Sequence, residues 1–229
     1  IDEMSWRIMP YRSVDEHDVV NGLFSSVQAN ATHLTSGDGD AGVFVRITVG
    51  DLNTDPLVYV DGAGRSDLIG KVDYPDVGRN WIPVVTNKFD TATQAAKCVG
   101  VTLAQTALAD ENGVTFYNDP RKAEANGIVP SGGAVPIMSR GLITLCETAF
   151  ENGDTDSVGV PAIGQNLVIS TTAGQVTGVA FNATGHDYQV VGTVLATGSR
   201  TAGATADRFA GAAGVTGDYA LCYIDCVGY

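Results

Sequence analysis

Apolar positions along this chain recur mostly at every second residue or in short blocks bounded by Gly, Pro, Asn and Asp. That spacing predicts strands, because side chains on a strand alternate between its two faces. Gly42 and Gly50 enclose Val43 to Val49, a run of seven nearly all favourable to strand. Leu57 to Val60 follows and is closed by the turn Asp61-Gly62-Ala63-Gly64. Residues 65–93 are less regular, with Pro75, Pro83, Asp73 and Asn80 marking loops around the half-buried pairs Trp81-Ile82 and Val84-Val85. Lys97 to Leu103 reads as a strand, whereas Gln105 to Asp110 fits a helical turn. The best helix composition lies at Pro120 to Asn126, with Pro at the first helical position and Gly127 as a stop.

The region 128–229 is the most regular. Ala134 to Met138 and Gly141 to Cys146 read as strands separated by Ser139-Arg140. Gln165 to Ser170 meets Gln175 to Ala180 across Thr171-Thr172-Ala173-Gly174, a hairpin of conventional loop length. Val190 to Ala196 and Asp218 to Ile224 are two further strands, on either side of a flexible Ala/Gly/Thr-rich loop at 197–217. Val99-Gly100-Val101-Thr102-Leu103-Ala104 echoes Val191-Gly192-Thr193-Val194-Leu195-Ala196, and two matched strands in one sheet system explain the echo without a duplication.

Residues 1–24 differ from the rest. Trp6, Arg7, Tyr11, Arg12, Asp15, Glu16, His17 and Asp18 mix aromatics and charges around Pro10 with no sustained period. Ser13-Val14-Asp15-Glu16 fits a capping box opening one short helical turn. Such a segment cannot bury itself, so two readings stand: an extended arm that docks on another surface, or a strand tucked on its own domain. The expected organisation is an arm at 1–24 followed by a single β domain at 25–229. Position 1 is Ile rather than Met, which leaves open whether residues precede it or Met4 is the start. The expected fold class is mainly β: a β-sandwich or barrel-like domain, with an extended N-terminal arm and at most short helices.

Composition supports that class and narrows the function. Of 229 residues 44% are hydrophobic, enough for a sizeable core, while charged residues are only 17% and Gly numbers 28. The formal charge of −13 argues against a nucleic-acid partner, since a phosphate backbone is met by clustered Lys and Arg. No apolar run approaches the roughly 18 residues that span a bilayer.

Chemistry-bearing motifs are sparse. His17, His33 and His186 are isolated from one another, with no Gly-x-Ser-x-Gly elbow and no His-Glu-x-x-His. Gly37-Asp38-Gly39-Asp40 and Asn152-Gly153-Asp154-Thr155-Asp156 alternate carboxylates as calcium prefers, but the second continues with Ser157 and Ile163 where an EF-hand needs Gly and Glu. Both read as solvated turns. Asn30-Ala31-Thr32 and Asn182-Ala183-Thr184 match the glycosylation acceptor, read as chance in an Asn/Thr-rich chain without a secretory signal. Cys98, Cys146, Cys222 and Cys226 read as buried free thiols in a reducing environment. On a strand, Cys222 and Cys226 share a face but sit about 13 Å apart. No catalytic residue, cofactor or metal is expected, and the chain reads as a non-enzyme.

Gly133-Ala134-Val135-Pro136-Ile137-Met138-Ser139-Arg140-Gly141-Leu142 resembles the strand-turn-strand segment of the proteins that decorate or cement tailed-phage capsids. Gly164 to Ile169 with Gly174-Gln175-Val176 resembles their hairpin, and Val190 to Leu195 and Gly217 to Leu221 their two closing strands. Gly42 to Val49 and Lys97 to Ala104 stand where such proteins carry opening strands, so the resemblance spans about two-thirds of the chain. It implies a β-sandwich or β-tulip domain in a structural virion protein on the outer surface of an icosahedral capsid, made in the host cytoplasm. Its implied partners are the major capsid protein and its own copies as a dimer or trimer, with no nucleic acid and no membrane. The arm residues Trp6, Met9, Tyr11 and Arg12 are the expected capsid or protomer contacts. Two alternatives remain at this stage: another self-assembling virion component (fibre base, tail-tube or shell subunit), or a β-sandwich carbohydrate-binding module or glycosidase.

Overall fold

The computed structural model describes residue 8 and residues 15–24, 41–49, 84–86, 97–107, 114, 116, 119–125, 127–130, 134–151, 160–170, 172, 174–181, 189–200 and 217–226. These form β1 (Val19–Phe24), β2 (Phe44–Val49), β3 (Val84–Thr86), β4 (Cys98–Thr102), β5 (Gln105–Ala107), α1 (Pro120–Ala125), β6 (Ile128–Pro130), β7 (Ala134–Met138), β8 (Arg140–Cys146), β9 (Asn166–Ile169), β10 (Val176–Val179), β11 (Val190–Arg200) and β12 (Gly217–Asp225). The protein is mainly β, as expected.

Two sheets account for most of it. β1, β3, β2, β4 and β7 close into a barrel in that order, and β10, β9, β11, β12 and β8 make a five-stranded sheet. Every pair in both is antiparallel except β1 with β3. Strand alternation decides which side chains go where. Val43, Val45, Val85, Val135 and Ile137 form one buried cluster. Their neighbours Phe44 and Met138 turn the other way and join Cys98, Val101, Ile143, Leu145, Leu167, Val191, Cys222 and Ile224 in the main core between barrel and sheet. The barrel is narrow. A Cβ on Gly22 would come within 2.6 Å of Ile137 Cδ1, so glycine there is what admits the isoleucine.

Ser139 is the single residue between β7 of the barrel and β8 of the sheet. It is buried, and it fastens three elements at once. Its N–H and its hydroxyl both donate to the Asp18 carbonyl at 2.8 Å, and its own carbonyl accepts from Cys226 N–H at 2.9 Å. The start of β1 and the end of β12 therefore meet at the point where the chain leaves one sheet for the other.

A smaller unit is built from β5 and β6, paired in parallel, and α1. Asp119 caps α1 by accepting from Lys122 N–H at 3.2 Å, Pro120 opens it, and Gly127, at φ +65°, lies just beyond its end. Ala107, Phe116, Ala123 and Ile128 form its buried cluster.

Three expectations need correction. The arm does not extend to residue 24: Glu16–Asp18 is a 3₁₀ turn capped by Asp15, and Val19–Phe24 is a barrel strand whose Val19 to Leu23 pair with β7. The loop expected at 197–217 gives way at both ends, because β11 continues to Arg200 and β12 begins at Gly217. Gln105–Ala107 is a strand rather than a helical turn, because Thr106 and Ala107 are buried by pairing with Val129 and Pro130. The strand at Leu57 to Val60 and the pair Trp81-Ile82 lie outside the described residues.

Candidate functional site

The five-stranded sheet has one face in the core and one facing outward. On β12, Ala220, Cys222 and Ile224 point into the core, leaving Tyr219, Leu221 and Tyr223 half-buried on the outer face. Register sets their neighbours. Leu142 of β8 and Thr193 of β11 flank Tyr223, and Thr144 and Ala196 flank Leu221. Gly198 lies opposite Tyr219, and the tyrosine ring covers the space a side chain there would take. Arg140 Nε donates to the Tyr223 hydroxyl at 2.9 Å. That bond, followed by the nearby charge of Asp225, holds the guanidinium pKa above its ordinary value. The result is a shallow platform of Tyr, Leu and Thr with one arginine, and Leu142 stays 40% exposed. Such side chains gain from contact with a protein surface, since Tyr buries a large area with few rotamers to freeze and Arg presents a planar fork of donors.

A polar clamp holds the far side of the sheet. Glu151 accepts from the Ser170 hydroxyl and from Thr172 Oγ1 at 2.7 Å, while Ser170 Oγ accepts from Thr172 N–H at 2.8 Å. Gln175 Nε2 reaches the Thr148 carbonyl at 3.0 Å. Carboxylate and hydroxyls are spent on fastening the β9–β10 hairpin to the 3₁₀ turn at Glu147–Ala149.

The expected contact residues Trp6, Met9, Tyr11 and Arg12 lie outside the described residues, as do His33, His186 and the two acidic loops. Within the arm, Ile8 is bridged to Leu145 on β8, the last strand in the sheet order, and packs on the main core. That contact favours a segment docked on its own domain at this point. His17 is exposed, its Nδ1 2.9 Å from Asp15 Oδ1. Among the described residues no three His, Cys, Asp or Glu side chains gather as metal ligands would. No described helix is long and apolar enough to cross a membrane.

The four cysteines are buried, and none is in a disulfide. Cys98 of β4 and Cys226, just past β12, bring their sulfurs to 3.9 Å. Sequence reasoning considered the close pair Cys222 and Cys226 and could not see this one, whose members are 128 positions apart. It also missed the tyrosine platform. The signal was present in Tyr219 to Ile224, where both alternating sets are apolar or aromatic although only one can face the core.

Comparison with protein-family models and with curated proteins finds no match.

Proposed function

We propose that this chain is a structural virion protein that binds the outside of an icosahedral phage capsid and stabilises contacts between major capsid protein subunits. It acts without catalysis, as a dimer or trimer. The observation that carries this reading is the outer sheet face: Leu142, Tyr219, Leu221 and Tyr223 form a shallow apolar platform with Arg140 at its side. A cement must bury area across flat neighbouring subunits, and a rigid sheet face suits that task. Two further facts support it. The stretch Gly133 to Leu142, which resembles the capsid-decorating proteins, contains the Ser139 joint between the sheets. The charge of −13 suits a surface turned away from packaged nucleic acid.

In this reading the platform lies on the major capsid protein, and Trp6, Met9, Tyr11 and Arg12 add contacts to capsid or sister protomer. The test is addition of the purified chain to shells lacking it, with occupancy read by cryo-electron microscopy and mass spectrometry. Stoichiometric, symmetric density on the outer surface is the expected result, and Tyr223→Glu and deletion of residues 1–12 should each lower occupancy while the β fold persists. No binding to any shell, or polymerisation of the chain alone into tubes, overturns the proposal.

A further inference from the structure

The contact between Cys98 and Cys226 is more specific than ordinary packing of two buried thiols. It lies where the barrel meets the five-stranded sheet, since Cys98 opens β4 and Cys226 follows the last residue of β12. Each S–H has a direction. Cys98 donates to the Gly100 carbonyl at 3.7 Å, which leaves its sulfur free to accept from Cys226 at 3.9 Å. The Val191 carbonyl offers Cys226 a second acceptor at 4.0 Å. One side chain frames the pair. Gln189 Oε1 accepts from Cys98 N–H at 2.6 Å, and its Nε2 donates to the carbonyls of both Cys98 and Cys226, at 3.4 and 3.3 Å. The backbones on either side of the sulfurs are thus held together by a single amide.

We propose that Cys98 and Cys226 are an oxidation site, a latent disulfide that a hydroperoxide closes to tie the barrel covalently to the sheet. The inference does not depend on the capsid role. The sulfurs are in van der Waals contact, and a side-chain rotation that draws them to about 2 Å makes the bond. A peroxide is small and neutral. Cys226 stands at the end of the β12 ladder, whose last pair is Asp225 with Arg140, so a local opening there suffices for entry.

The chemistry balances. Cys98, whose developing thiolate is met by the Cys226 S–H, attacks one peroxide oxygen. The S–O bond forms, the O–O bond breaks, and hydroxide leaves as water with the Cys98 proton, giving a sulfenic acid. Cys226 sulfur then attacks the Cys98 sulfur. The S–S bond forms, the S–O bond breaks, and a second water leaves with the Cys226 proton. Two thiols are oxidised by two electrons and one peroxide is reduced to two waters. Donation to Cys98 and burial both push the Cys226 thiol pKa upward, which keeps it protonated as the donor that meets the developing Cys98 thiolate.

The test exposes the reduced, folded chain to hydrogen peroxide below its melting temperature, quenches with catalase, unfolds, alkylates and maps peptides without reduction. Expected are two alkylated cysteines, Cys146 and Cys222, and one linked peptide joining Cys98 to Cys226 that dithiothreitol releases. The peptide map separates this from methionine oxidation elsewhere. Cys226→Ser should stop at a Cys98 sulfenic acid that dimedone traps. The link closes a loop across 128 positions, so the oxidised chain's unfolding equilibrium should fall on the order of 1,000-fold. Four alkylated cysteines, sulfinic or sulfonic acids without a link, or a link through Cys146 or Cys222 overturns the proposal. The wild-type map decides even where the serine variant fails to fold.

Discussion

Gly100 runs so close to Met138 that a Cβ on it would overlap the Met138 carbonyl oxygen as well as Ile137 Cγ2. The obstacle is backbone, so no rotamer relieves it. β4 and β7 share only two register pairs, Val101 with Met138 and Thr102 with Ile137, and this seam is one of those that close the barrel. Gly100→Ala should therefore cost about 3 kcal/mol or prevent folding. Gly198→Ala is the control. Its obstacle is the Tyr219 ring, which can swing outward, so the cost should be about 1 kcal/mol. Guanidinium unfolding of the two variants checks the difference, and equal costs would refute the backbone argument.

Gln189 leaves a different signature. Its amide satisfies one N–H and two carbonyls where the sheets meet. Gln189→Leu keeps the volume and strands those groups, at a cost of roughly 2–3 kcal/mol. Hydrogen exchange at the Cys98 amide should accelerate well beyond the change at Val101. Uniform acceleration would mean global destabilisation instead.

Asp15 gives the turn before β1 a pH dependence. Acceptance from His17 N–H, and then from the His17 ring, holds its pKa below the ordinary 3.8. The sign follows: the contribution is present above the unfolded value of 3.8 and is lost as pH falls through the lower folded value. Both side chains are exposed, so the readout is local rather than global. The His17 amide resonance should move with the Asp15 titration below pH 3.8, and Asp15→Ala should abolish that movement.

Much of the architecture was legible because strand alternation is a local property. β7, β8, β9 and β10 fall within two residues of where the apolar pattern puts them, and α1 ends one residue before the expected Asn126. What alternation cannot supply is partnership. Gln105–Ala107 resembles a helical turn until Ile128–Pro130 pairs with it. Val19–Phe24 resembles an arm until β7 receives it. The echo between Val99–Ala104 and Val191–Ala196 was expected from strands of one sheet system, yet β4 is in the barrel and β11 in the sheet. Its physical content is the glycine. A Cβ on Gly192 would overlap the Tyr223 carbonyl as one on Gly100 would overlap that of Met138, and a register irregularity stands beside each. Both segments mark a close strand approach, which is a reason for similarity that needs no common origin. The thiol pair and the outer platform escaped because they depend on which strands are neighbours, and the arm contacts Trp6, Met9, Tyr11 and Arg12 fall outside the described residues.

Cys222 makes the alkaline limb of the stability curve a test of core packing. It is fully buried in the main core, where its S–H donates to the Ala220 carbonyl at 3.8 Å, and burial pushes its pKa up to about 12 from an ordinary 9.0. A thiol whose folded pKa is raised stabilises the fold fully below the unfolded value. Above pH 9.0 the unfolded chain loses this proton while the folded chain keeps it, so stability falls as pH rises toward 12. Cys226, raised in the same direction, steepens the fall. The denaturation midpoint should thus be flat from pH 7 to 8.5 and decline above 9.0. Cys222→Ala separates this from lysine and tyrosine titration. It should lower stability at neutral pH by about 1 kcal/mol through the lost sulfur contacts, and should decline less steeply than wild type above pH 9.0. Parallel curves for the two proteins would show that this thiol does not govern the alkaline transition. Alkylation gives an independent check, because iodoacetamide at pH 8 should leave Cys222 unmodified in the folded chain and modify it once guanidinium unfolds the core.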